Sequence, residues 1–163
     1  MKKIILISLL LVVVLMFNGC FLAPTKMDIV DTAMGNGNFG TLVTALTAAG
    51  LVETLRGTGP FTVFAPNDAA FAKIDPTALT ALIADVPALT DVLLFHVVSG
   101  EYMAVDVMGM TMLTSMEGSD LDITVTGSTV QIENATITST DIECSNGVIH
   151  IIDTVMFPPA PMM

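Results

Sequence analysis

Up to about residue 96 the apolar positions recur with a helical period, and from residue 119 they alternate with a period of two. MDIVDTAM (27–34) predicts a short helix. In NFGTLVTALTAAGL (38–51), Leu42, Val43, Leu46 and Ala49 share one face and Gly50 is placed to end the turn, so a longer helix is expected. LVETLRG (51–57) continues as a further helical piece. FTVFA (61–65) reads as a strand, and Pro66, Asn67 and Asp68 turn it into a helix that carries Phe71. Pro66 has no N–H to give a sheet ladder, and Asn67 can cap the helix, so this corner is read as structural. In DPTALTALIADVP (75–87), Asp75 stands at the N-cap and Pro76 at the first helical position. PALTDVLLFHVVSG (87–100) passes from helix into strand.

After residue 119 the pattern is that of strands. LDITVTGSTVQIEN (121–134) is a hairpin around Gly127-Ser128, a pair suited to a type II′ turn. A two-residue loop there pairs positions whose numbers sum to 255, setting Val125 against Val130 and Ile123 against Ile132. Asp120, Asp122 and Thr124 then fall on the other face. ATITSTDIE (135–143) is a further strand, CSNG (144–147) a turn, and VIHIIDTVMFP (148–158) a last strand. Helices first and strands last make an α+β order.

Composition changes this picture at the N-terminus. Lys2 and Lys3 precede fourteen mostly apolar residues, Ile4 to Phe17. A membrane-spanning helix needs about 20, so residues 1–19 are expected to be an export signal. The segment ends in LMFNGC, which resembles the lipobox of bacterial lipoproteins, and Cys20 is the expected lipid attachment site. Secretion with cleavage nearby and no lipid is the alternative. Residues 20–26 form a short tether, of which residues 21–26 reach at most roughly 20 Å. Residues 27–159 form one domain, and 160–163 a tail. The only membrane contact expected is through the N-terminal lipid.

After residue 20 three cations, Lys26, Arg56 and Lys73, stand against sixteen acids, a net −13. Nucleic acid is excluded as a partner, because no cations are left to neutralise phosphates. Solubility outside the cytoplasm explains the charge, with calcium or a basic partner surface as the alternative. Cys144, the one cysteine besides Cys20, has no basic neighbour in sequence and reads as a small apolar filler.

Several motifs could carry chemistry. GNGNFG (35–40) matches a dinucleotide fingerprint in letters only, since it follows a helix and no acid lies about 20 residues on; Asn38 capping a helix accounts for it better. Asp120 and Asp122 alternate on a strand and lack the glycine and distal glutamate of a calcium loop. His96 and His150 could join carboxylates at a metal, or Ser99 or Ser145 in a triad, but no supporting spacing accompanies them. Both lie in apolar stretches read as strands, where a hydrogen-bonded structural imidazole is expected. Met103, Met108, Met110, Met112 and Met116 could offer thioethers to Cu(I), which makes a copper-handling protein the alternative function; packing is the commoner use of Met. NAT (134–136) fits an N-glycosylation pattern, whose use an export signal of bacterial type argues against.

Three segments in order resemble the fasciclin (FAS1) domain. TVFAPNDAAF (62–71) resembles its first box, LLFHVVSGEYMAVDV (93–107) its central region with Phe95 where Tyr is usual, and NGVIHIIDTVMFP (146–158) its second box. The resemblance implies a β-sandwich-like wedge of about seven strands flanked by short helices, with the two boxes side by side. It implies Phe64, Pro66, Asn67, Phe71, His96, Gly147, His150 and Asp153 as motif residues, and Asp141-Ile142 at the place where animal members carry an integrin-recognition segment. It implies adhesion or matrix contact through protein or glycan of the matrix or another cell surface, with no enzymatic activity, no metal and no cofactor.

Replacing Cys20 by Ser should release the protein from membranes or leave it unprocessed, read by fractionation and mass of the N-terminus. Mature Cys20→Ser protein that partitions with membranes as before removes the lipid assignment.

Overall fold

The structure is a computed structural model, and it describes residues 26–159. The signal segment, Cys20 and residues 160–163 lie outside the described residues. Helices α1 (Ile29–Asn36), α2 (Gly40–Ala48) and α3 (Val52–Leu55) come first. Strand β1 (Phe61–Pro66) runs into α4 (Asp68–Phe71), α5 (Pro76–Ala84) and α6 (Val86–Phe95). Then follow β2 (Val97–Ser99), α7 (Ala104–Met108), β3 (Met112–Thr114), β4 (Asp120–Thr126), β5 (Thr129–Ile132), β6 (Ala135–Glu143) and β7 (Gly147–Ile152).

The caps explain where several helices begin. Asp28 accepts from the Asp31 N–H at 2.7 Å, and Asp75 caps α5 with Pro76 at its first turn. Asn67 accepts from the Ala70 N–H at 2.8 Å and starts α4 directly after Pro66, so the corner turns as expected. One expected cap is different. Asn38 bonds Asn36, and the first N–H groups of α2, Gly40 and Thr41, are instead met by the carboxylate of Asp68 at 3.3 and 2.9 Å. The first turn of α4 thus caps α2, which holds the corner against the helical layer. The bond from Thr41, more than that from Gly40, keeps the Asp68 carboxyl below its ordinary range.

Seven strands form one sheet in the order β2-β1-β7-β6-β5-β4-β3. A Val98–Ser115 bridge and a bond from the Met116 N–H to the Val97 carbonyl at 2.7 Å bring its two edges together, so the sheet nearly closes into a barrel. The pairing β1–β7 is parallel, and the other ladders are antiparallel. In the β4–β5 hairpin Ile123 faces Ile132 and Val125 faces Val130, the register expected from the turn. Gly127 at φ 64° supplies the left-handed turn residue.

The central strands separate two cores. Val63 and Ala65 of β1 pack with Leu42, Leu46, Phe71, Leu89, Leu93 and Ile149 between sheet and helices. Phe64 points the other way, into the barrel, with Phe95, Leu121, Ile132, Ile152 and Met156. A strand covered on both faces reads as a continuous apolar run, which explains FTVFA and VIHII. Burying one such large side chain contributes about 1.5–3 kcal/mol.

Phe64 is wholly buried and Phe71 nearly so, each in a different core. Replacing either by Ala should cost roughly 3–5 kcal/mol, read as a lower urea midpoint. A loss below about 1 kcal/mol from either would mean that its ring is not a core element.

Candidate functional site

The two histidines flank the molecule's central seam, one within β7 and one whose carbonyl accepts from the Phe64 N–H of β1, and neither ring nitrogen of either is free. His150 stands in β7 directly opposite Phe64 of β1, its ring stacked on the Phe64 ring at 5.6 Å between centroids. Its Nδ1 accepts from the Asp141 N–H at 3.4 Å, so Nε2 carries the proton and donates to the Tyr102 carbonyl at 2.8 Å. His96 is not in a strand, contrary to the sequence reading. It is the C-cap of α6, because the helix runs one residue further than the apolar pattern separates. There Nδ1–H donates to the Val92 carbonyl at 2.7 Å, and Nε2 accepts from the Met156 N–H at 2.9 Å.

Burial pushes the His96 pKa down to about 4, against the opposing pull of the Val92 carbonyl. His150 is likewise lowered by burial, partly offset by the Tyr102 carbonyl and the Asp141 charge. Both imidazoles are therefore neutral backbone bridges at pH 7. His96 ties α6 to the segment after β7; His150 ties β7 to β6 and to the loop before α7. Neither contacts Ser99, which faces Phe61 across the β1–β2 ladder, nor Ser145, whose N–H goes to Met27. Among the described residues no three His, Cys, Asp or Glu side chains are placed to hold a metal.

The remaining motif residues gather around the same seam. Gly147 opens β7 at φ 154°, and a Cβ there would stand 1.9 Å from the Phe61 carbonyl oxygen, so only glycine allows β1 to approach. The Asp153 carboxylate accepts from the Thr136 N–H at 2.9 Å and pairs with Lys73 at 3.3 Å; the Thr136 bond leads in holding its pKa below the usual range. Asp141 lies at φ 57° where the β6–β7 register slips, and its carboxylate accepts from the Ala104 N–H at 2.8 Å, at the start of α7. Ile142 is half-buried against the helical core.

Three contributors escaped the sequence reading. Asn146 accepts from the Ile29 N–H at 3.0 Å and donates to the Leu55 carbonyl at 2.6 Å, joining α1 and α3 to the β6–β7 turn. Buried Thr62 donates to the Gly100 carbonyl and accepts from the Tyr102 N–H, which fixes the carbonyl that His150 uses. Asp68 is the third. Each acts on residues at least 27 positions away, and no local signature marks such a bond.

Cys144 is buried with its thiol against Thr32, and burial raises its pKa. It borders a cleft of about 730 Å³ between Arg56, Glu101 and the β6–β7 turn, which neither histidine lines. The methionines are dispersed. Met103 precedes α7, Met108 ends it, Met110 packs on the barrel core, and Met112 and Met116 are exposed.

The model of the Fasciclin domain matches residues 37–158, a span that holds both boxes, both histidines and six of the seven helices among the described residues. The chain belongs to the fasciclin-domain family. An uncharacterised protein of Synechocystis sp. is 45% identical over 129 residues, covering 79% of this chain and 96% of that one. The cell surface glycolipoprotein MPB83 of Mycobacterium bovis is 32% identical, covering 85% and 64%. The transforming growth factor-beta-induced protein ig-h3 of Sus scrofa is 32% identical over 85% of this chain, which spans only 20% of that protein. A FAS1 domain pair from the insect cell adhesion molecule Fasciclin I superposes with a TM-score of 0.73 at 19% identity, over 82% of this chain and 52% of that one. The seven-stranded, nearly closed sheet with short flanking helices is the FAS1 fold.

A depressed histidine pKa gives a signed pH dependence. Unfolded His96 takes up a proton near pH 6.5, whereas the folded ring resists it down to about pH 4. The stability this represents is complete above about pH 6.5 and is lost as pH falls toward 4, by about 3 kcal/mol. Urea unfolding at pH 7 and 4.5 should show a larger loss for the wild type than for His96→Gln. Equal losses would place the acid sensitivity elsewhere.

Proposed function

We propose that this fasciclin-domain protein is a surface or secreted adhesion module that makes contact with matrix or another cell surface by binding protein or glycan. Lipid at Cys20 would hold it at the cell envelope. The observation that carries this reading is the use made of the two histidines. The groups best suited to proton transfer at neutral pH are neutral, buried and bonded to backbone on both nitrogens. A general base must reach the proton it takes, so the domain is read as a rigid scaffold presenting surfaces and not as an enzyme. The family adds support, since similar chains include a cell surface glycolipoprotein and an insect cell adhesion molecule.

Within this proposal Asp141-Ile142 is a candidate contact. Asp141 is exposed but its carboxylate already serves Ala104, and Ile142 is half turned inward. The pair would offer a partner a carboxylate more than an apolar anchor.

The test is retention of extracellular proteins and glycans on immobilised protein purified after expression of the full chain. Specific, saturable retention is expected, and it should survive His150→Gln, which keeps a hydrogen-bonding group, while His150→Ala lowers the melting temperature. A His150→Ala protein of unchanged stability that has lost binding would make His150 a contact residue and overturn the scaffold reading.

A further inference from the structure

The cleft of about 730 Å³ beside Arg56 has walls from three separate stretches of chain: residues 56–60, the turn 144–147, and Glu101. Hydrogen bonds fix these walls against one another. The Asn146 side chain donates to the Leu55 carbonyl at 2.6 Å and to the Gly57 carbonyl at 3.3 Å, and the Asn146 main-chain carbonyl accepts from the Phe61 N–H at 3.1 Å. A Cβ on Gly59 would stand 2.0 Å from that carbonyl oxygen, so the first two walls meet as closely as backbone allows. The Gly100 N–H donates to the Pro60 carbonyl at 3.0 Å, which sets Glu101 beside the first wall. A cleft built in this way spares a ligand the cost of ordering its walls.

Small-molecule clefts are mostly lined by apolar side chains, and this one is not. None of its ten lining residues is Leu, Ile, Val, Met or aromatic, so it offers no anchor pocket for a peptide side chain or an acyl chain. Hydrogen-bonding groups stand there instead. The Thr58 and Ser145 hydroxyls and the Glu101 carboxylate are exposed and bond no described residue. The Arg56 guanidinium uses one N–H on Asp31 at 2.7 Å and lies 3.8 Å from Asp28, so its charge is compensated while other N–H groups remain available.

Charge narrows the ligand class. Arg56 stands against Asp28, Asp31 and Glu101, so an anion gains nothing by entering. A single exposed carboxylate holds a cation only weakly. A neutral ligand dense in hydroxyls fits both facts, because each hydroxyl donates and accepts and can use guanidinium, carboxylate and side-chain hydroxyls together. Pro60, also exposed, offers a C–H surface for the less polar face of a sugar ring.

We propose that the cleft between residues 56–60, Glu101 and the β6–β7 turn binds a neutral oligosaccharide, with Arg56, Thr58, Glu101 and Ser145 as its hydrogen-bonding contacts. This deepens the adhesion reading by naming a site and a ligand class, and it rests on that reading only for its biological setting.

Cellotetraose, maltotetraose, mannotetraose and chitotetraose serve as probes, titrated calorimetrically at neutral pH into protein purified after expression of the full chain. Saturable binding of at least one is expected. Thr58→Ala/Ser145→Ala should weaken it roughly tenfold at unchanged melting temperature, through the loss of two hydrogen bonds. Ser145→Trp, which fills the cleft from an exposed position, should abolish it. Binding of none of the four sugars, or binding that Ser145→Trp leaves intact, would overturn the proposal. Equal or tighter binding of a sulfated chondroitin tetrasaccharide would overturn it on charge. A neutral Gly/Ser/Asn hexapeptide that binds with the same dependence on Ser145 where the sugars fail would make polypeptide the occupant and overturn it as well. Retention of matrix proteins without sugar binding would reject this cleft alone; sugar binding without retention on the immobilised protein would reject the adhesion reading alone.

Discussion

The parallel pairing of Phe61–Pro66 with Gly147–Ile152 is the contact on which the remaining architecture rests. Both strands are covered on both faces, so neither can exist in water as it does in the fold. Their inner side chains fill the barrel and their outer ones receive the helices. Close approach at the start of the pair requires Gly147, and the turn at its end requires Pro66 and Asn67. The two boxes of the family are thus the two halves of one seam, and a change in either half is felt in both cores.

Around that seam the polar interior is organised by backbone bridges. His96 and His150 are the same side chain used in opposite tautomers, because one meets a carbonyl with Nδ1–H and the other with Nε2–H. Each then accepts an N–H with its remaining nitrogen. A ring that satisfies one donor and one acceptor removes two desolvation penalties at once, each of about 1–3 kcal/mol if left unmet. No buried side-chain nitrogen or oxygen among the described residues is without a partner. Phe95 fits this arrangement. Its ring is fully buried in the barrel, where a hydroxyl would need a partner of its own.

Where the determinants were local, the sequence was readable. The β4–β5 register follows from a two-residue loop, and the starts of α4 and α5 follow from Asn67 and from Asp75-Pro76. Reading failed where an element is too short to show a period or its partner is remote. Helix α7 has five residues and β3 three, and a run of methionines hides both. His96 was placed in a strand because apolar residues continue through the junction of α6 with β2. Asn38 looked like a cap on grounds of proximity in sequence, yet the carboxylate that performs the task belongs to Asp68, which follows β1 in the chain. The methionines behave likewise: the run was visible, but that Met110 packs on the barrel core while Met112 of β3 faces water was not.

The geometry of the seam also governs the order in which the molecule can form. Every residue of β1 meets a partner 86 positions later, as Phe61 meets Gly147. Closing so long a loop costs roughly 4 kcal/mol of chain entropy before any contact offsets it. The β4–β5 hairpin closes over two residues and can form far sooner. A chain emerging from its N-terminus therefore carries β1 as an apolar ribbon with a vacant edge until almost all of it is available. High contact order of this kind slows folding and lengthens the time in which such an edge can pair with a neighbouring chain. The parallel seam that makes the finished domain rigid makes the nascent one dependent on being kept apart from its own copies.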